Sequence, residues 1–458
     1  MNSDVKGTAK VANFVDVMEK DPSYFLQFNL IITANIPLYD LFPLAQLCWN
    51  ASVPINLMVL RSYGFIGSVR LQIRDHNIIE SKSDNDPFDL RISNPFPELK
   101  EYCESYAILL NEKTNVDTLQ HSHIPYIVIL YEAIKKWKSN HNNNSPSNFK
   151  EKEQFKQLIK DMAINYNDEL NFQEAVRESY RAYTPKVLSP EVNQTIHKVY
   201  NSKEAFSSST SEFEFLCYAL VMFLLDKDFN PDQLPPLPGQ VPDLTATTDL
   251  YIQLQKVYKD KSEADVQHFK KLLNKLLIAN NRSENSISDE IVSIFCKHSY
   301  SLISITSRSI EQEISSDIAI DKVKDILESE LFDDPVQTPI LWYLTLRAVD
   351  RFYSKHNRWP GDNDITLESD QNQIYSELNS ISKEYDIIDL VSGDSTLLST
   401  SHAVEITRYG GSELHNISAL IGGIAAQEAV KLITKQYVPL NNTYLFNGIA
   451  SVGATYDL

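Results

Sequence analysis

The chain has 458 residues, 43% hydrophobic and 10% aromatic, enough for a large core and more than one domain. Its formal charge of −19 argues against nucleic acid or an anionic membrane as a partner, because such binding draws on clustered Lys and Arg. Only 12 residues are glycine, and the four cysteines (Cys48, Cys103, Cys217, Cys296) form no CxxC or CxxxH spacing, which argues against phosphate-cradling loops and a structural zinc site.

Met1-Asn2-Ser3-Asp4 carries neither the basic nor the apolar region of a secretory signal. The apolar runs near Ile127 and Ile421 read as too short to cross a bilayer, so the expectation is a soluble protein of the cytoplasm or nucleus. Phe28 to Ala34 reads as a buried strand, followed by a loop at Asn35-Ile36-Pro37 and helical spacing from Tyr39 to Asn50. Ile55 to Leu60 and Val69 to Ile73 read as further strands on either side of a turn at Gly64 and Gly67. Strand, helix, strand in so short a span is a βαβ unit, whose buried strands read as continuous apolar runs.

From Pro125 to about Tyr353 the pattern is helical. Leu250, Leu254, Val257 and Tyr258 form one stripe; Phe269, Leu272, Leu273 and Leu276 continue it. His141 to Pro146 and Pro231 to Pro242 are loop chemistry. Ala133 with Trp137, Ala219 with Phe223 and Ala348 with Phe352 are unevenly spaced echoes, read as three helix–loop–helix pieces packing side by side. Ile417, Leu420, Ile421 and Ile424 mark one helix face, with Gly422, Gly423, Ala425 and Ala426 between them. Glycine in a helix costs about 1 kcal/mol relative to alanine, so small residues there suggest a second backbone close by. Tyr437 to Leu440 and Thr443 to Phe446 read as strands joined by turns at Asn441-Asn442 and Asn447-Gly448.

No GxGxxG, GxxxxGK[ST] or GxSxG occurs. Gly64 and Gly67 lie between two strands rather than opening a helix, so they read as turn chemistry. Cys217 sits on an apolar helix face. Cys296 precedes Lys297 and His298, but adjacent helical residues point apart. His121 and His123 lack a third metal ligand, and Asp333 with Asp334 read as a solvated turn. From residues alone the chain is a mixed α/β protein without an identifiable active site.

Four segments add a resemblance: DPSYFLQFNLIITANIP (Asp21 to Pro37), RSYGFIGSVRLQI (Arg61 to Ile73), RISNPFPELKEY (Arg91 to Tyr102) and RYGGSELHNISALIGGIAAQEAVKLITKQYVPLNNTYLF (Arg408 to Phe446). Together with LRAVDRFYSKHNRWPG (Leu346 to Gly361) they resemble the regulatory subunits of heterodimeric neddylation-activating enzymes, within the modifier-activating enzyme family. The resemblance implies a doubly wound, Rossmann-like adenylation domain from residues 1–160 and 341–458. It also implies a mainly helical insert at 161–340 that corresponds to the partner's catalytic-cysteine domain.

Two departures accompany it. Family members open with a Tyr-x-Arg-Gln-type segment and a first βαβ unit bearing a nucleotide loop; Met1 falls after that unit. Either the start lies at an internal methionine or those strands are lost, and in the second case the sheet lacks central strands and is poorly stable alone. The basic N-terminal residues that members direct toward the partner's nucleotide are absent as well. Second, Thr33-Ala34-Asn35-Ile36-Pro37-Leu38 stands where active members carry an Asp-Asn-x-x-x-Arg-like segment that handles ATP and its metal.

The implied role is a scaffold without catalytic, cofactor or metal residues of its own, ATP and Mg being held by a catalytic sister subunit that also receives the ubiquitin-like modifier. Partner contacts are expected at Tyr251, Leu254, Gln255, Val257 and Tyr258 in the insert, and at Ile421, Gly422, Gly423 and Ala426. The alternatives are the scaffold half of a SUMO-type enzyme, which lacks a large helical insert, a self-sufficient adenylating or nucleotide-dependent enzyme, and a stand-alone helical interaction module.

Overall fold

A computed structural model describes residues 6–80, 88–111, 118–201, 210–315, 317–330, 334–387 and 397–458. The chain opens with helix α1 (Phe14–Lys20), strand β1 (Leu30–Ala34), helix α2 (Leu38–Asn50) and strands β2 (Asn56–Tyr63), β3 (Ile66–Gln72) and β4 (His76–Ile78). Its principal middle helices are α3 (Pro97–Ser105), α4 (Tyr126–Asn140), α5 (Phe149–Met162), α6 (Glu212–Leu225), α7 (Thr248–Ala279) and α8 (Asp289–Lys297). Strand β5 (Ile303–Ile305) and helix α9 (Ile310–Ser315) follow, then α10 (Pro339–His356), α11 (Leu367–Glu384), α12 (Thr400–Arg408), α13 (His415–Thr434), β6 (Thr443–Asn447) and β7 (Val452–Tyr456).

Two compact units result: residues 1–78 with 304–458, and residues 79–303. These boundaries differ from the expected 160 and 340, and the reason is packing. Ile92, Phe96, Ile127 and Phe155 share one core with Leu254 and Tyr258 of α7, so the chain joins the helical unit well before residue 161. Ile310 and Ile314 pack with Leu41 and Leu44 of α2, so it rejoins the first unit before residue 341.

The first unit is mixed α/β. Its sheet runs β1-β2-β3-β6-β7. β1 and β2 are parallel with α2 between them, as the βαβ reading expects; the other pairings are antiparallel. Side chains alternate across β2: Leu57 and Val59 enter the α2 core, while Met58 and Leu60 meet Ile417, Ile421 and Ala425 of α13. Helices therefore cover both faces. Tyr437 to Leu440 forms no strand; the Leu440 amide donates to Glu428 of α13 (2.7 Å) rather than to a ladder, and Pro439 has no amide to donate.

The second unit is helical, with Phe215, Leu220 and Phe223 of α6 packed against Phe269 and Leu273 of α7 and Phe295 of α8. The three echoed pairs share no common core. Ala133 and Trp137, Ala219 and Phe223, and Ala348 and Phe352 lie in three different cores, because each small-plus-aromatic pair fills its own helix–helix contact.

Candidate partner interface

The Arg61–Ile73 hairpin, the α10–α11 connection and the α12–α13 connection converge on one aromatic knot. Gly64 turns the β2–β3 hairpin at φ +55°, and a Cβ there would lie 2.2 Å from the Tyr409 ring. Its amide donates to Ser412 O (2.8 Å). Tyr63 meets Trp359 and Tyr409 edge-on at 5.6 and 6.3 Å. Arg358 binds Asp370 through two 2.7 Å hydrogen bonds, and the Gly361 amide donates to the same carboxylate (2.9 Å). Burial alone would raise the Asp370 carboxyl; Arg358 and the Gly361 amide outweigh it and hold the group below its ordinary value.

This knot fixes the start of α13. The close approach expected at that helix is made by Gly67 of β3, where a Cβ would fall 2.6 Å from Ile421 Cγ1. Gly422 and Gly423 face the other way, and a Cβ added at either position would meet nothing within 4 Å. Ile421 is therefore corrected: it is 2% exposed and seats the helix on the sheet. The exposed face of α13 instead carries Ala419, Gly422, Gly423, Ala426, Val430 and Ile433, without a charged side chain among them. Val430 and Ile433, 56% and 70% exposed, lie beyond Ala426 on the same face.

α13 is 20 residues long and apolar enough, by length and composition, to cross a membrane, although its unbroken apolar run is short. Ile417, Ile421, Ala425 and Leu432 are instead buried against β2 and β3.

On α7, Leu254 and Tyr258 are likewise corrected. Both are fully buried, and Tyr258 Oη donates to Leu90 O (2.7 Å), so these residues build the helical core. Tyr251 and Val257 are half-buried and Gln255 is exposed. Ile252, 55% exposed, was missed; it lies on the face opposite Leu254 and Tyr258, which helical spacing alone would have shown.

No family model matches the chain. A protein of Danio rerio named NEDD8-activating enzyme E1 regulatory subunit is 35% identical over 470 residues, covering 100% of this chain and 82% of the relative. The chain belongs to the NEDD8-activating enzyme E1 regulatory subunit family. The Xenopus laevis member is 34% identical over 100% of the chain and 82% of its own length; the Arabidopsis thaliana member named AXL is 34% identical over 98% and 81%.

All four thiols are buried, and burial pushes each up, Cys48 to about 12 and Cys103, Cys217 and Cys296 further. A thiol so raised is not the thiolate that attacks an acyl group. His121 is buried against Glu169 and stacked on Phe172, while His123 Nδ1 lies 2.7 Å from Leu119 O. Among the described residues no group of three His, Cys, Asp or Glu side chains could hold a metal ion. Asp334 caps a short turn through the Val336 amide; Asp333 lies outside the described residues. Asn35 ends β1 at φ +52°, and its Oδ1 accepts from the Ser62 amide (2.8 Å), tying the strand end to β2.

Proposed function

We propose that this chain is the non-catalytic scaffold of a two-subunit enzyme that activates a Nedd/Rub-type ubiquitin-like modifier. The catalytic sister subunit binds ATP and Mg, adenylates the modifier and carries it on a cysteine; this chain completes the shared adenylation core and helps dock the modifier. The observation that carries the reading is membership of the regulatory-subunit family along the whole chain. The buried thiols and the amide side chain of Asn35, engaged by Ser62 where active members hold a nucleotide-handling carboxylate, support it.

In this reading the first unit is an adenylation-type, doubly wound domain, and the helical unit is the counterpart of the partner's cysteine-bearing domain. The uncharged face of α13 is the surface offered to the sister subunit, with Gly422, Gly423 and Ala426 allowing a neighbouring backbone to come close and Val430 and Ile433 supplying apolar area. Gln255, Tyr251 and Val257 remain the proposed contacts in the helical unit. The assembly operates in the cytoplasm or nucleus.

The test is affinity isolation of the tagged chain from its own cells, with mass spectrometry of any stoichiometric companion. The expected companion carries a glycine-rich nucleotide loop and a reactive cysteine. Recovery of a lone chain that exchanges pyrophosphate into ATP overturns the proposal.

A further inference from the structure

A cavity of about 80 Å³ lies in the first unit between the sheet and helices α9 and α10. It shares Leu38, Ile314, Arg347 and Asp350 with a wider cleft beside α1 and α2, which gives it an entrance. Three guanidiniums and two carboxylates line it. Arg61 holds Asp350 through bonds of 2.7 and 2.5 Å, and the Leu38 amide at the start of α2 donates to the same carboxylate at 3.3 Å. Arg70 Nε donates to one oxygen of Glu313 (2.5 Å), and Tyr343 Oη donates to the other (2.6 Å). Both acids are therefore engaged.

Arg347 is the guanidinium left over. It is only 7% exposed and donates to the phenols of Tyr385 and Tyr343; among the described residues no carboxylate lies within ion-pair distance of it, and Glu313, which acts on it across Tyr343, is already bound by Arg70. Three guanidiniums thus share two carboxylates in the cavity wall, and an anion beside Arg347 would balance the third. One uncompensated charge matches a monoanion; a dianion would be repelled by Asp350 and Glu313. The remaining walls, including Leu41, Ile310, Ile314 and Leu346, are aliphatic.

We propose that this cavity binds a small aliphatic carboxylate, its oxygens on Arg347 and its carbon chain against Leu41, Ile310 and Ile314. The shared chemistry admits two sources, a free short-chain carboxylate and the carboxylate at the end of a polypeptide. The site has the room and the mixed lining that such a ligand needs: apolar walls with one placed charge.

The probe is [13C]butyrate, titrated into the intact chain, alone or in whatever complex it is purified, and followed by NMR. Saturable binding is expected, with none for butyramide, which has the same shape without charge, and none for inorganic phosphate. Arg347→Met should weaken binding by about tenfold or more, the weight of a charge-assisted hydrogen bond. Ile314→Trp keeps every charge and fills the space, so it should abolish binding even where Arg347→Met fails to fold. Displacement of butyrate by acetyl-Ala-Val with a free carboxylate, and not by its amide, assigns a chain terminus as the source; no displacement by either assigns a free carboxylate. Absence of saturable butyrate binding, equal binding of butyramide, or full binding by Ile314→Trp overturns the proposal.

Discussion

Gly67 and Asp370 show how much a single position decides. Replacing Gly67 by alanine places a methyl 2.6 Å from Ile421 Cγ1, so α13 must lift or Ile421 must leave its rotamer. We expect Gly67→Ala to cost about 1–3 kcal/mol in urea unfolding, with Gly67→Ala/Ile421→Val losing less than the sum of the single changes; additive losses would show that the two positions are uncoupled. Asp370→Asn should cost about 3 kcal/mol at neutral pH, because it leaves Arg358 and the Gly361 amide facing a weaker acceptor. Asp370 titrates below its ordinary value of 3.8 in the native state, so its stabilisation is present above that pH and is lost as pH falls through the lower native value. The gap between wild type and Asp370→Asn should therefore close in strong acid, which unfolding curves at neutral and acid pH would measure.

At the scale of the element, α13 and β1 are each half-committed to their own unit. α13 gives one face to the sheet and leaves a second, nearly uncharged face in solvent. Since nothing lies near Gly422 or Gly423, replacing either by alanine should stabilise the isolated chain by about 0.5–1 kcal/mol, as for any exposed helical glycine. A bulky Gly423→Phe should leave thermal unfolding almost unchanged and yet weaken capture of the companion subunit; unimpaired capture would remove α13 from the interface. β1 pairs only with β2 among the described residues, and its sequence from Phe28 to Ala34 carries no charge to guard the free edge. Ile32 is 48% exposed on that strand, so Ile32→Lys should lower self-association of the isolated chain in light scattering without lowering its unfolding midpoint.

The molecule as a whole carries two histidines that resist protonation in the first unit. Burial holds His76 at about 4 and His402 at about 4, against an ordinary 6.5. The unfolded chain takes up these protons first, so their contribution to stability is present above pH 6.5 and disappears as pH falls from 6.5 toward 4. Each adds a slope of about 1.4 kcal/mol per pH unit over that window. Melting temperature followed from pH 7.5 to 5 should fall steeply, and His76→Gln should flatten the curve; an unchanged slope in that variant would exclude His76.

Sequence by itself determined the elements whose signal is local. The strand–helix–strand start and the Gly64 turn follow from residue periodicity and glycine conformational freedom. Family membership was legible in the same way, because RSYGFIG, NRWPG and RYGG are contiguous segments whose residues meet in one knot. Tertiary structure alone decided the unit boundaries, since Phe96 and Phe155 share one core with Tyr258 across a long stretch of chain and no local pattern records a distant packing partner. It also decided which residues of two amphipathic helices face inward. Leu254, Tyr258 and Ile421 look like ideal contact residues in one dimension, but apolar character says only that a side chain will be buried; the surrounding fold determines whether its own core or another chain buries it.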